Sequence, residues 1–141
     1  MSERILVPYD GSPQATDALE YALETFPDAS VTALNVVPLP EGYWAAFEDT
    51  EHRAADIDRA HERGQDVLEE AITVAAEHDR DLETEVATGK PAREIVEQAE
   101  TDEYETVVIG SHGREGVSRV LLGSVAEMVV RRSPIPVVVV R

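Results

Sequence analysis

The sequence passes from a short apolar run into a loop rich in glycine at residues 107–116, VVIGSHGREG. Four of the eight glycines lie within the fourteen residues from Gly110 to Gly123. Glycines permit close backbone approach to a bound group and a positive φ. Gly110 follows a predicted strand, and ligands of open α/β sheets bind beyond the carboxyl ends of strands. This loop is therefore the first candidate binding site.

A helix is predicted directly after the loop, over residues 124–132. Ser124 and Glu127 match the S-x-x-E capping box, which predicts Ser124 as the N-cap. A helix start presents free N–H groups and a partial positive charge that suit phosphate, and Arg114 and Arg119 add cationic reach. The alternative is a tight turn with a simple cap and no ligand.

Several nucleotide and enzyme signatures are absent. The P-loop pattern fails because no lysine follows the last glycine, and residues 10–12, DGS, do not supply G-x-G-x-x-G after the first strand. No Ser-His-Asp or Cys-His set supports covalent catalysis. His52, His61 and His78 share a helix but lack the i, i+4 spacing of a metal site. No catalytic residue is predicted, and an enzymatic role stays open.

Apolar periodicity alternates between strand and helix along the chain. Strands are predicted over residues 5–8, 31–37, 82–88, 107–109 and 135–140, and helices over residues 13–26, 51–78, 91–99 and 124–132. Ser12 is predicted to cap the first helix, with Pro13 at its first position. Strands separated by helices pair in parallel. The predicted fold class is a single open, doubly wound, Rossmann-like α/β domain over residues 1–141, with helices on both faces.

Composition is typical of globular proteins, since 43% of the 141 residues are hydrophobic and 29% are charged. The absence of cysteine excludes disulfides, thiol catalysis and cysteine zinc sites. No apolar run approaches the ~18–20 residues that span a bilayer, and residues 1–4, MSER, do not resemble a signal peptide. We therefore expect a cytoplasmic protein with no membrane partner.

Acidic residues dominate the charge, because 29 Asp and Glu against 12 Lys and Arg give a net charge of −17. Only Lys90 among the basic residues is a lysine. A nucleic-acid partner is not expected, since binding requires cationic surface. The lysine-poor acidic surface is typical of halophilic proteins, because a Debye length of ~3 Å at 1 M salt screens self-repulsion. An acidic face that docks a partner is the alternative.

The spacing Gly110-x2-Gly113-x9-Gly123-Ser124 resembles the G-x2-G-x9-G-[ST] pattern of ATP-binding universal stress proteins. The resemblance covers essentially the whole chain. Residues 5–12 are similar to the family's opening strand and Asp turn, residues 89–95 to the start of its third helix, and residues 133–140 to its closing strand. The resemblance implies a five-stranded parallel sheet in the order 3-2-1-4-5.

The resemblance also implies roles for single residues, with Asp10 and Gly110 facing each other across the crevice. Pro8 and Val36 are similar to residues that contact adenine, and Asp10 resembles an acid beside the ribose, the phosphates and a metal. The implied ligand is ATP, with Mg²⁺ or Mn²⁺ on its phosphates supported by Asp10. The implied nucleotide-binding residues are Pro8, Asp10, Val36, Gly110, Ser111, His112, Gly113, Arg114, Gly116, Gly123, Ser124, Val125 and Ala126.

Three residues keep open alternatives. Asp10 also suits a simple helix-entry turn, and His112 either touches a phosphate or is solvated. Trp44, in the loop from Pro38 to Asp49, caps the adenine, lies at a subunit contact or packs locally.

The last predicted strand, Ile135 to Val140, would lie at a sheet edge in the implied order, and an apolar edge needs cover. Family members pair this strand between two subunits, so a homodimer through Ile135 to Val140 is predicted. The predicted function is an ATP-binding, nucleotide-dependent switch or sensor in the stress response, with little or slow hydrolysis. The alternatives are a dimeric interaction module with no nucleotide requirement, and a slow ATPase or autokinase.

Overall fold

The computed structural model describes residues 3–38, 50–101, 103–112 and 122–141, and it confirms the alternation of strands and helices. The elements in chain order are β1 Arg4–Pro8, α1 Pro13–Thr25, β2 Ser30–Pro38, α2 Thr50–Glu77, β3 Glu83–Gly89, α3 Pro91–Thr101, β4 Thr106–Gly110, α4 Ser124–Arg132 and β5 Val137–Val140. Trp44 and the loop predicted around it lie outside the described residues, apart from Pro38.

The five strands form one parallel sheet in the order β3-β2-β1-β4-β5, as the family resemblance implies. β1 is central, because Leu6 pairs with Thr32 of β2 on one side and with Val107 of β4 on the other. The chain adds strands first on one side of β1 and then on the opposite side. This reversal opens a crevice beyond the carboxyl ends of β1 and β4, where ligands of such sheets bind.

Helices cover both faces of the sheet because successive side chains of a strand point to opposite faces. Ile5 and Val7 pack with α1 and α2, whereas Leu6 packs with α3 and α4. All three side chains are completely buried. The uninterrupted apolar run of β1 is therefore that of a strand covered on both faces.

The last strand begins at Val137, two residues later than predicted, and no other boundary differs from its prediction by more than two residues. The hydroxyl of Ser133 donates to the carbonyl of Ile135 at 2.8 Å and accepts from its N–H at 3.2 Å. This local turn takes the N–H of Ile135 away from strand pairing. Strand pairing starts at Pro136, whose carbonyl accepts from the Val107 N–H at 2.9 Å.

Candidate functional site

A cavity of about 690 Å³ opens at the carboxyl ends of β1, β2 and β4, within the range usual for small-molecule sites. All four helices contribute residues to its wall. The predicted site residues that line it are Pro8, Asp10, Val36, Gly110, Ser111, His112, Gly123, Ser124, Val125 and Ala126. Gly113, Arg114, Gly116 and Arg119 lie outside the described residues.

Asp10 occupies the turn between β1 and α1 and borders the cavity. Its Oδ1 atom accepts a hydrogen bond from the Ser12 N–H at 2.9 Å. Gly11, between them, has a φ of 81°, a left-handed conformation that favours glycine. Asp10 is thus a helix-entry turn residue, one of the two roles left open by the sequence. Its half-buried side chain also forms part of the cavity wall.

α1 begins as predicted, with a side-chain cap. The Oγ atom of Ser12 accepts from the Ala15 N–H at 3.1 Å, and Pro13 is the first helical residue. Ser12 is 1% exposed, so the cap is formed inside the protein, at the cavity wall. The start of α1 is therefore capped by one of its own neighbouring side chains.

Gly110 is required by its packing against α1, a reason that the sequence did not indicate. Among the described glycines, only Gly11 and Gly89 have a positive φ, so the positive φ expected in the loop is not found at Gly110. Instead, a Cβ atom at Gly110 would lie 2.8 Å from the carbonyl oxygen of Gln14. Glycine is needed here because the first turn of α1 packs directly against the end of β4.

The two halves of the glycine motif meet just beyond β4. The Ser111 N–H donates to the Val140 carbonyl at 2.8 Å, and the Ser111 carbonyl accepts from the Gly123 N–H at 2.6 Å. Ser111 is 3% exposed, and its hydroxyl lies 3.0 Å from Nδ1 of His112. These bonds fix Ser111, where the chain leaves β4, and Gly123, where α4 begins. They hold the start of α4 beside the cavity.

The predicted capping box of α4 is wrong. Gly123 is the N-cap and provides no side-chain cap, and Ser124 is the first helical residue. The Glu127 carboxylate pairs instead with Arg131 at 2.9 Å. The bond from Gly123 to Ser111 holds Gly123 in an extended conformation, φ −69° and ψ 166°, which moves the cap by one residue. The positive end of α4 consequently reaches the cavity wall with no side-chain cap.

Asn35 was missed by sequence reasoning, although it is buried in β2 and lines the cavity. Its Nδ2 atom donates to the Tyr9 carbonyl at 2.9 Å, and the Tyr9 N–H donates to the Leu34 carbonyl at 2.8 Å. These bonds join the ends of β1 and β2. Burial raises the pKa of the Tyr9 phenol, against the lowering effect of Thr16, whose hydroxyl lies 3.2 Å away. The sequence signal that could have found Asn35 was an amide side chain within a largely apolar strand.

α2 also reaches the cavity, through Arg63 and Val67. Gly64 brings this helix close to the sheet, because a Cβ atom there would lie 2.6 Å from Val86 and 3.2 Å from Oδ1 of Asn35. No sequence signal separated Arg63 from the other charged residues of α2. Its place at the cavity depends on which turn of the helix crosses β2.

No three His, Cys, Asp or Glu side chains form a metal-binding group within the described parts of the chain. His78 instead lies 3.4 Å from Glu24 of α1. None of the helices, as far as the structure describes them, is long and apolar enough to cross a membrane.

The strand order and the cavity at its point of reversal define a Rossmann-like α/β protein. The family model described as "Universal stress protein family" matches residues 1–141, so the chain belongs to the universal stress protein family.

Two relatives and one solved structure illustrate the similarity. Universal stress protein MJ0531 of Methanocaldococcus jannaschii is 35% identical over 148 residues, which cover 99% of this chain and 82% of the relative. Universal stress protein YxiE of Bacillus subtilis is 32% identical over 100% of both chains. The structure of universal stress protein UspA from Lactobacillus plantarum has a TM-score of 0.74 at 28% identity, covering 99% of this chain and 97% of that chain.

Proposed function

We propose that this protein binds an adenine nucleotide, ATP carrying Mg²⁺ or Mn²⁺, and acts in the cytoplasm as a nucleotide-dependent switch or sensor in the stress response, with little or slow hydrolysis. The observation that carries the proposal is the start of α4, which reaches the cavity wall without a side-chain cap. A helix start of this kind favours a phosphate group, because its N–H groups and its dipole both attract an anion.

The phosphates occupy the side of the cavity formed by β4 and α4. Residues 123–126 and Ser111 line this side, and the Ser124 hydroxyl adds a further donor. Ser111 is tied to both Gly123 and β5, so the phosphate side is held in place before any ligand binds. Gly113, Arg114 and Gly116 complete the phosphate loop in this proposal.

The nucleoside occupies the side of the cavity formed by β1 and β2. Pro8 and Val36 provide an apolar wall for the adenine. Ile95 of α3 adds to this wall and lies on the opposite face of the sheet from α2. Asp10 lies between the two sides, where its carboxylate reaches the ribose and the metal. One carboxylate together with phosphate oxygens suits Mg²⁺, which keeps several waters in such sites.

Two solved structures with this fold contain adenine nucleotides. A universal stress protein in complex with cAMP has a TM-score of 0.67 at 24% identity, and an Arabidopsis thaliana family member with AMP bound has a TM-score of 0.69 at 20% identity. Likeness at this level shows the fold alone. The case for this chain therefore depends on its own cavity and on the start of α4.

The proposal is tested by removing the phosphate donors of one residue, Ser124, without disturbing the fold. Ser124 is the first helical residue and follows an extended glycine, so proline is well tolerated there. Ser124→Pro deletes both the N–H and the hydroxyl, whereas Ser124→Ala deletes the hydroxyl alone. In calorimetric titrations, Ser124→Pro should lower ATP affinity about 10- to 100-fold, with a smaller loss for Ser124→Ala. Adenosine affinity should stay unchanged in both.

The outcomes separate the candidate functions. Folded wild-type protein that neither carries nor binds any adenine nucleotide contradicts the switch and leaves the interaction module. Release of phosphate from bound ATP, lost in Ser124→Pro, favours the slow ATPase instead. Equal loss of ATP and adenosine in Ser124→Pro means that the phosphates lie elsewhere in the cavity.

The homodimer belongs to the same proposal and uses the exposed edge of β5. Its four valines are each half-buried in the sheet layers, and the strand has β4 on one side only. The carbonyls of Pro136 and Val140 face β4, so the parallel hydrogen-bond pattern directs the N–H of Val139 towards the outer edge. An edge of this kind pairs readily with a second copy.

Removing the outward N–H of β5 tests the dimer. Val139→Pro should yield monomers by light scattering, because proline removes an edge donor while leaving the bonds to β4 intact. Val139→Ala removes similar packing but keeps the N–H, so it should remain dimeric. A dimeric Val139→Pro variant would place the interface elsewhere.

The salt-adapted surface is also part of the proposal. A net charge of −17 repels itself in the folded state, and salt screens this repulsion. The melting temperature should therefore rise between about 0.2 M and about 2 M KCl. An unchanged or falling melting temperature favours the alternative, in which the acidic residues form a face that docks a partner.

A further inference from the structure

Arg63 is a cation at the wall of the cavity in a strongly acidic protein. It is exposed, and within the described residues it makes no hydrogen bond or ion pair, although Asp66 lies one turn further along α2. Arg59, one turn earlier, pairs with Asp56 at 3.2 Å. Arg63 therefore differs from its neighbour in lining the cavity instead of forming a local ion pair.

The packing of α2 places Arg63 on the β2 side of the cavity. The adjacent Gly64 contacts Val86 of β3 and approaches Oδ1 of Asn35 near the end of β2. The start of α4 lies on the β4 side, and β1 separates β2 from β4, so the two sides are about 10 Å apart. Arg63 is thus near the nucleoside side, away from the helix start that favours phosphate.

The surroundings of Arg63 suit a flat ring. Val67, four residues further along α2 and on the same side of this helix as Arg63, lines the cavity with an apolar side chain. The guanidinium group of Arg63 is planar. Planar guanidinium groups stack on the faces of nucleobases, an arrangement that requires no matching charge. We propose that Arg63 covers one face of the nucleobase and contributes to the affinity of this site for the nucleoside. The inference rests on the proposed nucleotide-binding function.

The rival role for Arg63 is an ion pair with a phosphate, and the two roles respond differently to ligand and side chain. Stacking acts equally on adenosine and ATP, and it needs a planar group that lysine lacks. A phosphate contact acts on ATP alone, is partly retained by lysine, and weakens as salt increases.

Arg63→Ala and Arg63→Lys are compared with Arg59→Ala by calorimetry, using adenosine and Mg-ATP at about 0.2 M and about 2 M KCl. Arg59 is the matched control, because it is an exposed arginine on the same helix that does not line the cavity. Both Arg63 variants should lose about 3- to 30-fold in affinity for adenosine and for ATP alike, at both salt concentrations. Arg59→Ala should bind like the wild type.

Three results overturn the proposal. If Arg63→Ala binds like Arg59→Ala while the wild type binds nucleotide, Arg63 has no contact with the ligand. If the loss is confined to ATP and Arg63→Lys restores it, the contact is with a phosphate. If the wild type binds neither ligand, both the nucleotide site and the role of Arg63 are wrong.

Discussion

α1 and α4 begin at the same cavity, but their first turns are built differently. α1 starts with the Ser12 hydroxyl bound to the Ala15 N–H, and Pro13 has no N–H to satisfy. α4 starts at Gly123, which provides no side-chain cap. A helix start inside a protein needs partners for its N–H groups. The start that lacks a side-chain cap is therefore the one that favours a ligand.

The far end of α1 extends the contrast. The Arg80 guanidinium donates to the Leu23 carbonyl at 2.8 Å and to the Ala29 carbonyl at 2.7 Å, which fastens the end of α1 to the start of β2. The same helix is capped by Ser12 at its start. Both ends of α1 are thus held by contacts within the protein. We infer that α1 is structural and that the start of α4 is the proposed ligand-binding surface.

The largest effect on stability is expected from Gly110→Ala, which challenges the packing that positions α1. The new Cβ atom would lie 2.8 Å from the Gln14 carbonyl oxygen and 3.0 Å from its Cβ atom, so α1 or β4 must shift. We expect the free energy of unfolding to fall by about 1–3 kcal/mol, measured by urea denaturation with an unchanged slope. A loss within about 0.5 kcal/mol would mean that α1 moves freely against β4, contrary to its structural role.

Helices and strands were predictable because they depend on neighbours in the sequence. Apolar periodicity indicated each element, and Ser12-Pro13 correctly predicted the start of α1. The strand order was not derivable from alternation alone, since several orders satisfy parallel pairing through crossovers. It came from the family resemblance and was confirmed.

The cap of α4 and the contributions of β2 and α2 were not predictable, because they depend on distant contacts. Gly123 takes the cap position because its N–H bonds to Ser111 at the end of β4. Arg63 reaches the cavity because Gly64 allows α2 to approach β3 closely. Neither contact leaves a periodic pattern in the sequence.

An intermediate effect is expected when the two helix starts are compared by the same substitution. Ser12→Ala leaves the Ala15 N–H without its partner in a buried place, so the free energy of unfolding should fall by about 1–2 kcal/mol. Ser124→Ala removes no cap and should change it by less than about 0.5 kcal/mol. Equal losses in urea denaturation would contradict the contrast between the capped start of α1 and the proposed ligand-binding start of α4.

The smallest effect concerns the last turn of α1 and depends on pH. The Val74 carbonyl, 3.0 Å from Nδ1 of His78, raises the pKa of this histidine. Desolvation by burial lowers it, and Glu24 and Glu20 of α1 raise it further, so the net direction is upward. The protonated form is therefore favoured in the folded state. Its contribution to stability is complete below the unfolded pKa of about 6.5 and is lost as pH rises through the higher folded pKa.

This pH dependence is measured as the difference in unfolding free energy between about pH 6 and about pH 8, because the raised pKa of His78 gives a contribution that is present below about 6.5 and lost at higher pH. His78→Gln should reduce the difference, because glutamine cannot take up the proton that strengthens the contact with the Glu24 carboxylate as pH falls. His61→Gln is the matched control, because His61 is an exposed histidine of α2, the helix that ends just before His78. His61→Gln should retain the wild-type difference. Comparing the two variants also cancels the titration of the acidic surface, which both share. Equal differences in both variants would show that α1 is fixed at this end by the Arg80 bonds alone.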